Sequence, residues 1–487
     1  MVLYHKYDMI KSLLKNAAIY NLGAITSKAL SILSFPIYTR YLSPKDIGII
    51  DLFAVIGSII NMIITLEITQ AIARYYPEGK NEQEKSLYTS TAFWFTVSVY
   101  ILFLIISISF SEYFTVLLLD SIHYKVIFIL AVFSVATNGI FYFTQNQLKW
   151  QIQPKDNFIA SLINVSVYVL VSIIMLVLGL EVESLFIGQI LGNVISSFIS
   201  IYLAKGSYRL KFSINELCKM ISFSFPLVFS GIAVFIATYI DRVAIKDLLG
   251  FEDLGIYGVA YRFASVAGII MIGFQYSLMP LVYKHYKEQN TPKYISDIFN
   301  LFAILALFVI SISILFSKEI VFLFTTEAFY RSYSLIGILV MVNFFSNMYI
   351  FAPGIWIAKK TKLVVLITVI SAILNTVLNY TLIPIAGVIG AAYATLISAI
   401  LAFLLFTVFG HRYYHIPYTT KKLLFSFILT LVSAYGILKI LNQINLISAI
   451  IKLIYIFLII IIISSLLIEK KHLEKIKLLI LIKGISS

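Results

Sequence analysis

The sequence predicts an all-α polytopic membrane protein. It reads as fourteen transmembrane helices, two parallel six-helix repeats plus two extra helices, with N- and C-termini cytoplasmic. Three observations predict this. First, 60% of the 487 residues are hydrophobic and 12% are charged, whereas a soluble domain is about 45–50% apolar and about 25% charged. So little charge does not cover a water-facing surface. Second, apolar runs of about 20 residues, enough to cross about 30 Å of hydrocarbon, recur along the chain. Third, the pattern of runs and links in the first half returns in the second.

The spans expected from hydropathy are, in order, 16–39, 47–74, 87–110, 125–147, 157–179, 184–204, 222–245, 254–283, 295–317, 332–358, 363–384, 387–410, 423–440 and 446–468. The links EVES (181–184) and PIAG (384–387) are short enough to make tight hairpins of spans 5–6 and 11–12. The first run is too long for a signal peptide, and no small-residue cleavage site follows it. These runs divide the chain into an N-lobe (1–204), a basic linker (205–221), a C-lobe (222–410), two further spans (411–468) and a basic tail (469–487). The tail, basic and then apolar, reads equally as an interfacial helix or a solvated end.

The net charge of +14 is interpreted by where it falls. Lys and Arg concentrate in the cytoplasmic loops of membrane proteins. Of the 37 basic residues, 26 fall on the side that holds both termini, 7 on the other side, and Lys28, Arg242, Arg262 and Lys452 inside spans. The charge therefore sets topology, and no nucleic-acid partner is implied. The single Cys218 excludes an intramolecular disulfide and a Cys-based metal site. The six histidines lie in loops or tails by this reading and form no HExxH pattern, so no cofactor is expected.

The repeat rests on two links, YLSPKDIGII (41–50) and LLGFEDLGIY (248–257). Gly48 and Gly255 are 207 positions apart. Without gaps at that offset, 16–48 lies over 223–255 and 49–76 over 256–283. Span ends, link and span starts coincide, although few identities survive. An even number of spans per copy gives both copies the same orientation, the parallel-repeat arrangement, with substrate expected between the halves. Pro44 and Gly48 are expected to break the helices at the outer surface, with Asp46 and Asp253 as N-caps or first-turn acids.

The opening N-x4-NLG pattern (Asn16, Asn21, Gly23), a mid-helix basic residue and L-x-P-x3-G (Leu42, Pro44, Gly48) resemble the start of the Wzx-type polysaccharide flippases. These are relatives of MurJ-like lipid II flippases and MATE exporters in the multidrug/oligosaccharidyl-lipid/polysaccharide superfamily. The 6+6+2 plan agrees along the whole chain. The resemblance implies a transporter of the bacterial cytoplasmic membrane, not an enzyme. It would move an undecaprenyl-diphosphate-linked oligosaccharide from the inner to the outer leaflet, alongside polysaccharide polymerase or export machinery.

Ionisable residues inside spans cost about 2.5–3.5 kcal/mol each and mark pathways. Lys28 lies mid-span, on one helical stripe with Asn21 and Ser31. Arg262 lies eight residues into span 8, about 12 Å deep. Facing each other across a central cavity, Lys28 and Arg262 would hold a diphosphate, Arg by forked hydrogen bonds and Lys as a point charge. The resemblance supports cavity cations in spans 1 and 8. The simpler reading pairs them with Asp51, which starts span 2, or with Glu67, further along the same helix. Asp51 and Glu67 are also candidates for proton or sodium coupling, since a partly buried carboxylate changes charge readily. Asp241 and Arg242 lie near the outer end of span 7, where Arg242 reads as a structural partner at a gate. Lys452 is expected to snorkel outward.

The amide pairs Gln189/Asn193, Asn343/Asn347 and Asn375/Asn379 are each one helical turn apart. They read as a sugar path or, more simply, as interhelical hydrogen bonds. Two other functions compete. A MATE-like exporter of cations, ion-coupled, favours interior carboxylates without matching cations, and a lipid II-type flippase shares the plan. A membrane glycosyltransferase or polymerase needs a large outer loop with catalytic residues, and the outer links 111–124 and 318–331 are short. No P-loop occurs.

Overall fold

The computed structural model describes residues 22–467, apart from positions 24 and 442. Asn21 and the basic tail lie outside the described residues. All regular elements among the described residues are helical. Helix α1 covers 25–41. It is followed by α2 (Pro44–Ile64), α3 (Ile68–Tyr75), α4 (Glu82–Ser109), α5 (Ser111–Leu119), α6 (Lys125–Trp150), α7 (Pro154–Val177), α8 (Val182–Leu203), α9 (Ile214–Leu249) and α10 (Phe251–Ala264). Then come α11 (Ala267–His285), α12 (Thr291–Leu315), α13 (Ser317–Phe324), α14 (Tyr333–Asn347), α15 (Gly354–Ile357), α16 (Thr361–Ala386), α17 (Val388–Tyr413), α18 (Thr420–Ile440) and α19 (Leu446–Leu467).

Twelve of the described helices are long and apolar enough to cross a membrane, and α10 with α11, bent by 41°, makes a thirteenth. The fourteenth expected span, 16–39, begins outside the described residues and is helical over 25–41. The chain is thus a multi-span membrane protein. Its exposed faces are apolar, as lipid requires: Leu424, Ile428 and Val432 on α18 and Leu453, Phe457 and Ile461 on α19 are all exposed.

The described residues form two compact units, Met1–Gly258 and Val259–Ser487. In the first, α7 and α8 form a hairpin whose helices approach closely because glycines leave room. A Cβ on Gly192 would stand 2.9 Å from the Asn164 carbonyl oxygen. In the second, α16 and α17 form the matching hairpin. Here α16 continues through Pro384 to Ala386, so the expected four-residue link shrinks to Gly387 at φ +60°. Helices α18 and α19 pack on α12.

Of the two roles expected for Asp46, helix α2 shows the first-turn acid, with Ser43 as the N-cap; Asp253 is likewise in the first turn of α10. The Asp46 carboxylate accepts from the Ser43 backbone N–H at 2.8 Å, and the Asp46 backbone N–H donates to the Ser43 hydroxyl at 3.3 Å, closing a capping box. Pro44 takes the first helical position, where its missing N–H costs nothing. Gly48 breaks nothing: it is buried within α2, where a Cβ would stand 2.0 Å from the Phe251 carbonyl oxygen. Reciprocally, a Cβ on Gly255 would stand 1.8 Å from the Pro44 carbonyl oxygen. Pro44 and Phe251 are themselves 207 positions apart and both begin helices. Exchanged contacts of this kind are what a twofold relation produces.

Candidate functional site

In the first unit the interior carboxylates sit where glycines make space. Asp51 is buried about 10 Å along α2, deeper than a residue that starts a span. Its Oδ2 lies against Gly258, where a Cβ would stand 1.6 Å away. Glu67 is not a mid-helix residue. Continuous hydropathy hides a break over Thr65–Glu67, and Leu66 and Glu67 both take left-handed backbone (φ 51° and 54°). Non-glycine residues there store of order 1–3 kcal/mol each. The Glu67 carboxylate faces Gly231 of α9, with Oε1 3.6 Å from where a Cβ would stand.

Asp241 and Arg242 are both buried on α9, at 1% and 6% exposure. The Arg242 backbone N–H donates to Asp241 Oδ1 at 2.8 Å, and its guanidinium donates to the same oxygen at 3.4 Å and to the Thr238 carbonyl at 3.2 Å. The Tyr257 hydroxyl donates to Asp241 Oδ2, and the guanidinium lies 5.2 Å and 5.8 Å from the Tyr239 and Tyr257 ring centroids. Two charges this deep are tolerable only when paired and hydrogen-bonded. Lys28 is half-buried on α1. Arg262, in the second unit, is half-buried in the last turn of α10. It lies eleven residues from the helix start, and Ser265, at the bend, donates to its carbonyl at 2.7 Å.

Three features escape the sequence reading. One is a cavity of about 290 Å³ in the first unit, between α2, α6, α7 and α8, with Asn61, Asn138, Asn164, Gln189 and Asn193 among its lining residues. Gln189 and Asn193 therefore line a space rather than only bonding helices. The other two amide pairs bond mainly within their own helices: Asn347 donates to the Asn343 carbonyl and Asn379 to the Asn375 carbonyl. The second feature is Tyr257, whose partner Asp241 lies one helix away. The third is Lys452, which does not snorkel. It is 2% exposed, donates to Glu319 Oε1 and lies 5.6 Å from the Phe316 ring centroid. Lone amides at mid-span depth, Asn61, Asn138 and Asn164, were the available signal for the cavity.

The family described as polysaccharide biosynthesis protein matches residues 13–284, more than half of the chain. The chain belongs to this family. The MatE family also matches, over residues 226–381. The sequence has no match among curated proteins. Among solved structures, the lipid II flippase MurJ in an inward closed conformation is similar with a TM-score of 0.71 and 18% identity, over 92% of this chain and 98% of that one. An inward-facing multidrug resistance MATE family transporter of the MOP superfamily is similar at TM-score 0.63 and 15% identity, over 79% and 94%. A MOP superfamily transporter from Pyrococcus furiosus, noted for reverse polarity of its binding pocket, is similar at 0.55 and 16%, over 82% and 95%. The fold is that of MOP-superfamily transporters and flippases, over as much as 92% of this polysaccharide biosynthesis family member.

Proposed function

We propose that this protein flips an undecaprenyl-diphosphate-linked oligosaccharide repeat unit from the inner to the outer leaflet of the bacterial cytoplasmic membrane. The observation that carries this reading is the family match over 13–284, a stretch that includes Lys28 and Arg262, two of the cations inside spans. Cations inside spans mark substrate pathways, and a diphosphate offers them two adjacent anionic groups. Lys28 and Arg262 would bind that diphosphate, with Asn21 as a further binding residue. Asp51 and Glu67 would couple transport to protons or sodium, and Asp241 with Arg242 would act at a gate.

Alternating access between an N-lobe (1–204) and a C-lobe (222–410) would move the headgroup, with both termini cytoplasmic and fourteen spans in all. The exchanged contacts of Gly48 and Gly255 support a parallel repeat. They stay in register from Gly48 to Asp51, which packs on Gly258, 207 positions on, so the paired helices run in the same direction. The MatE match favours a second reading, an ion-coupled small-molecule exporter, against which the interior cations count. The test is Arg262→Ala in a host that depends on this protein for surface polysaccharide. Loss of surface polysaccharide with normal membrane expression is expected; retained polysaccharide sinks the role given to Arg262.

A further inference from the structure

We propose that the amide-lined cavity of the first unit binds one uncharged sugar residue. This deepens the flippase reading and rests on it. The cavity is built from side chains that are already tied down. Asn61 donates to Asn138 Oδ1 at 3.3 Å and is itself held by the Tyr100 hydroxyl, which donates to its Oδ1 at 2.5 Å. Ser134 donates to Gln189 Oε1 at 2.5 Å. Asn164 donates to Asn193 Oδ1 at 3.0 Å, and Asn193 donates on to Thr137 at 3.4 Å. Each tie uses one end of an amide. The Nδ2 of Asn138, the Nε2 of Gln189 and the Oδ1 of Asn164 have no partner among the described residues.

Two donors and one acceptor are thus left unmatched in a space of about 290 Å³, at the small end of ligand pockets, roughly 300–1,000 Å³. Asn138 is exposed and Asn164 and Gln189 are half-buried, so these amide ends are open to a ligand that enters the cavity. The lining residues carry no charge at neutral pH, so neither a cation nor a phosphate is selected. A hydroxyl donates and accepts at once, and so matches an amide's donor or its acceptor. The rings of Phe53, Tyr168 and Phe186, also in the wall, offer apolar faces to sugar C–H groups. Together these select a single neutral pyranose over an acidic sugar.

The full chain in nanodiscs provides the test. Ser58 lines the cavity, and Cys218 is the native cysteine, so S58C is made in a Cys218→Ser background and its alkylation by N-ethylmaleimide is timed. Methyl glucoside, methyl galactoside and methyl N-acetylglucosaminide are the neutral probes, and methyl glucuronide is the charged one. At least one neutral probe is expected to slow alkylation, and glucuronide to leave it unchanged. Asn138→Leu or Gln189→Met, near-isosteric and checked by gel filtration, is expected to weaken protection roughly tenfold, the effect of one lost hydrogen bond. Equal protection by glucuronide, protection by none of the probes, or protection untouched by both substitutions overturns the assignment. Translocation of a lipid-linked oligosaccharide in proteoliposomes is measured in parallel. Flipping without protection refutes the sugar site alone; protection without flipping supports the site and refutes the flippase reading.

Discussion

Neutralising Lys452 should destabilise the protein far more than its place in an apolar helix suggests. Lys452 lies six residues into α19, fully buried, with Glu319 as its counter-charge. The second oxygen of Glu319 is buried without a hydrogen bond among the described residues. Lys452→Met removes the cation and leaves that carboxylate uncompensated, at a cost of about 3–5 kcal/mol for a broken buried pair. Glu319→Gln leaves the ammonium inside a span, at about 2.5–3.5 kcal/mol. The double variant removes both charges and fills the space with groups of similar volume, so it should lie within about 1 kcal/mol of the parent. Reversible unfolding in mixed detergent micelles, run on all four proteins, gives the coupling energy directly. The expected result is two damaging single changes that cancel when combined. Additive single effects, or a Lys452→Met variant as stable as the parent, would refute the argument that the pair is an obligate unit.

Gly48→Ala should separate α2 from the start of α10, because the new Cβ meets a backbone oxygen at 2.0 Å and no side chain there can turn aside. A loss of at least about 1–3 kcal/mol is expected in the same unfolding assay, and unchanged stability would show that the helices do not touch there. Lys28→Ala should abolish surface polysaccharide, whereas Lys28→Arg should preserve it. Equal loss in both would mean that the site needs more than positive charge at that depth.

Much of the fold was legible. Helix α17 (Val388–Tyr413) and helix α19 (Leu446–Leu467) fall within a few residues of the runs read from hydropathy, because length and apolarity are local properties. The breaks were not legible. ITLEITQ (64–70) continues an apolar run, and nothing in it announces that Leu66 and Glu67 turn left-handed. The site was partly legible: Asp51, Asp241 and Arg242 stand out as charges in apolar sequence, and the structure buries all three. Partners were not, because they come from elsewhere in the chain. Glu319 is 133 positions from Lys452, and from sequence it reads as an ordinary loop acid. The cavity amides lie on four helices, so no sequence window contains them.

The contact between Gly48 and Gly255 also bears on how the two aligned segments can vary. Where side chains meet, one residue grows as another shrinks, and two copies of a gene drift apart without harm. Where main chain meets main chain there is nothing to trade. A methyl group on either glycine strikes a carbonyl of the other segment, so a change in one segment finds no remedy in the other. Gly48 and Gly255 are thus a pair at which neither segment tolerates a larger side chain. In duplicated membrane chains, small residues recurring at one fixed offset are therefore the place to look for the axis between copies, even where little else aligns.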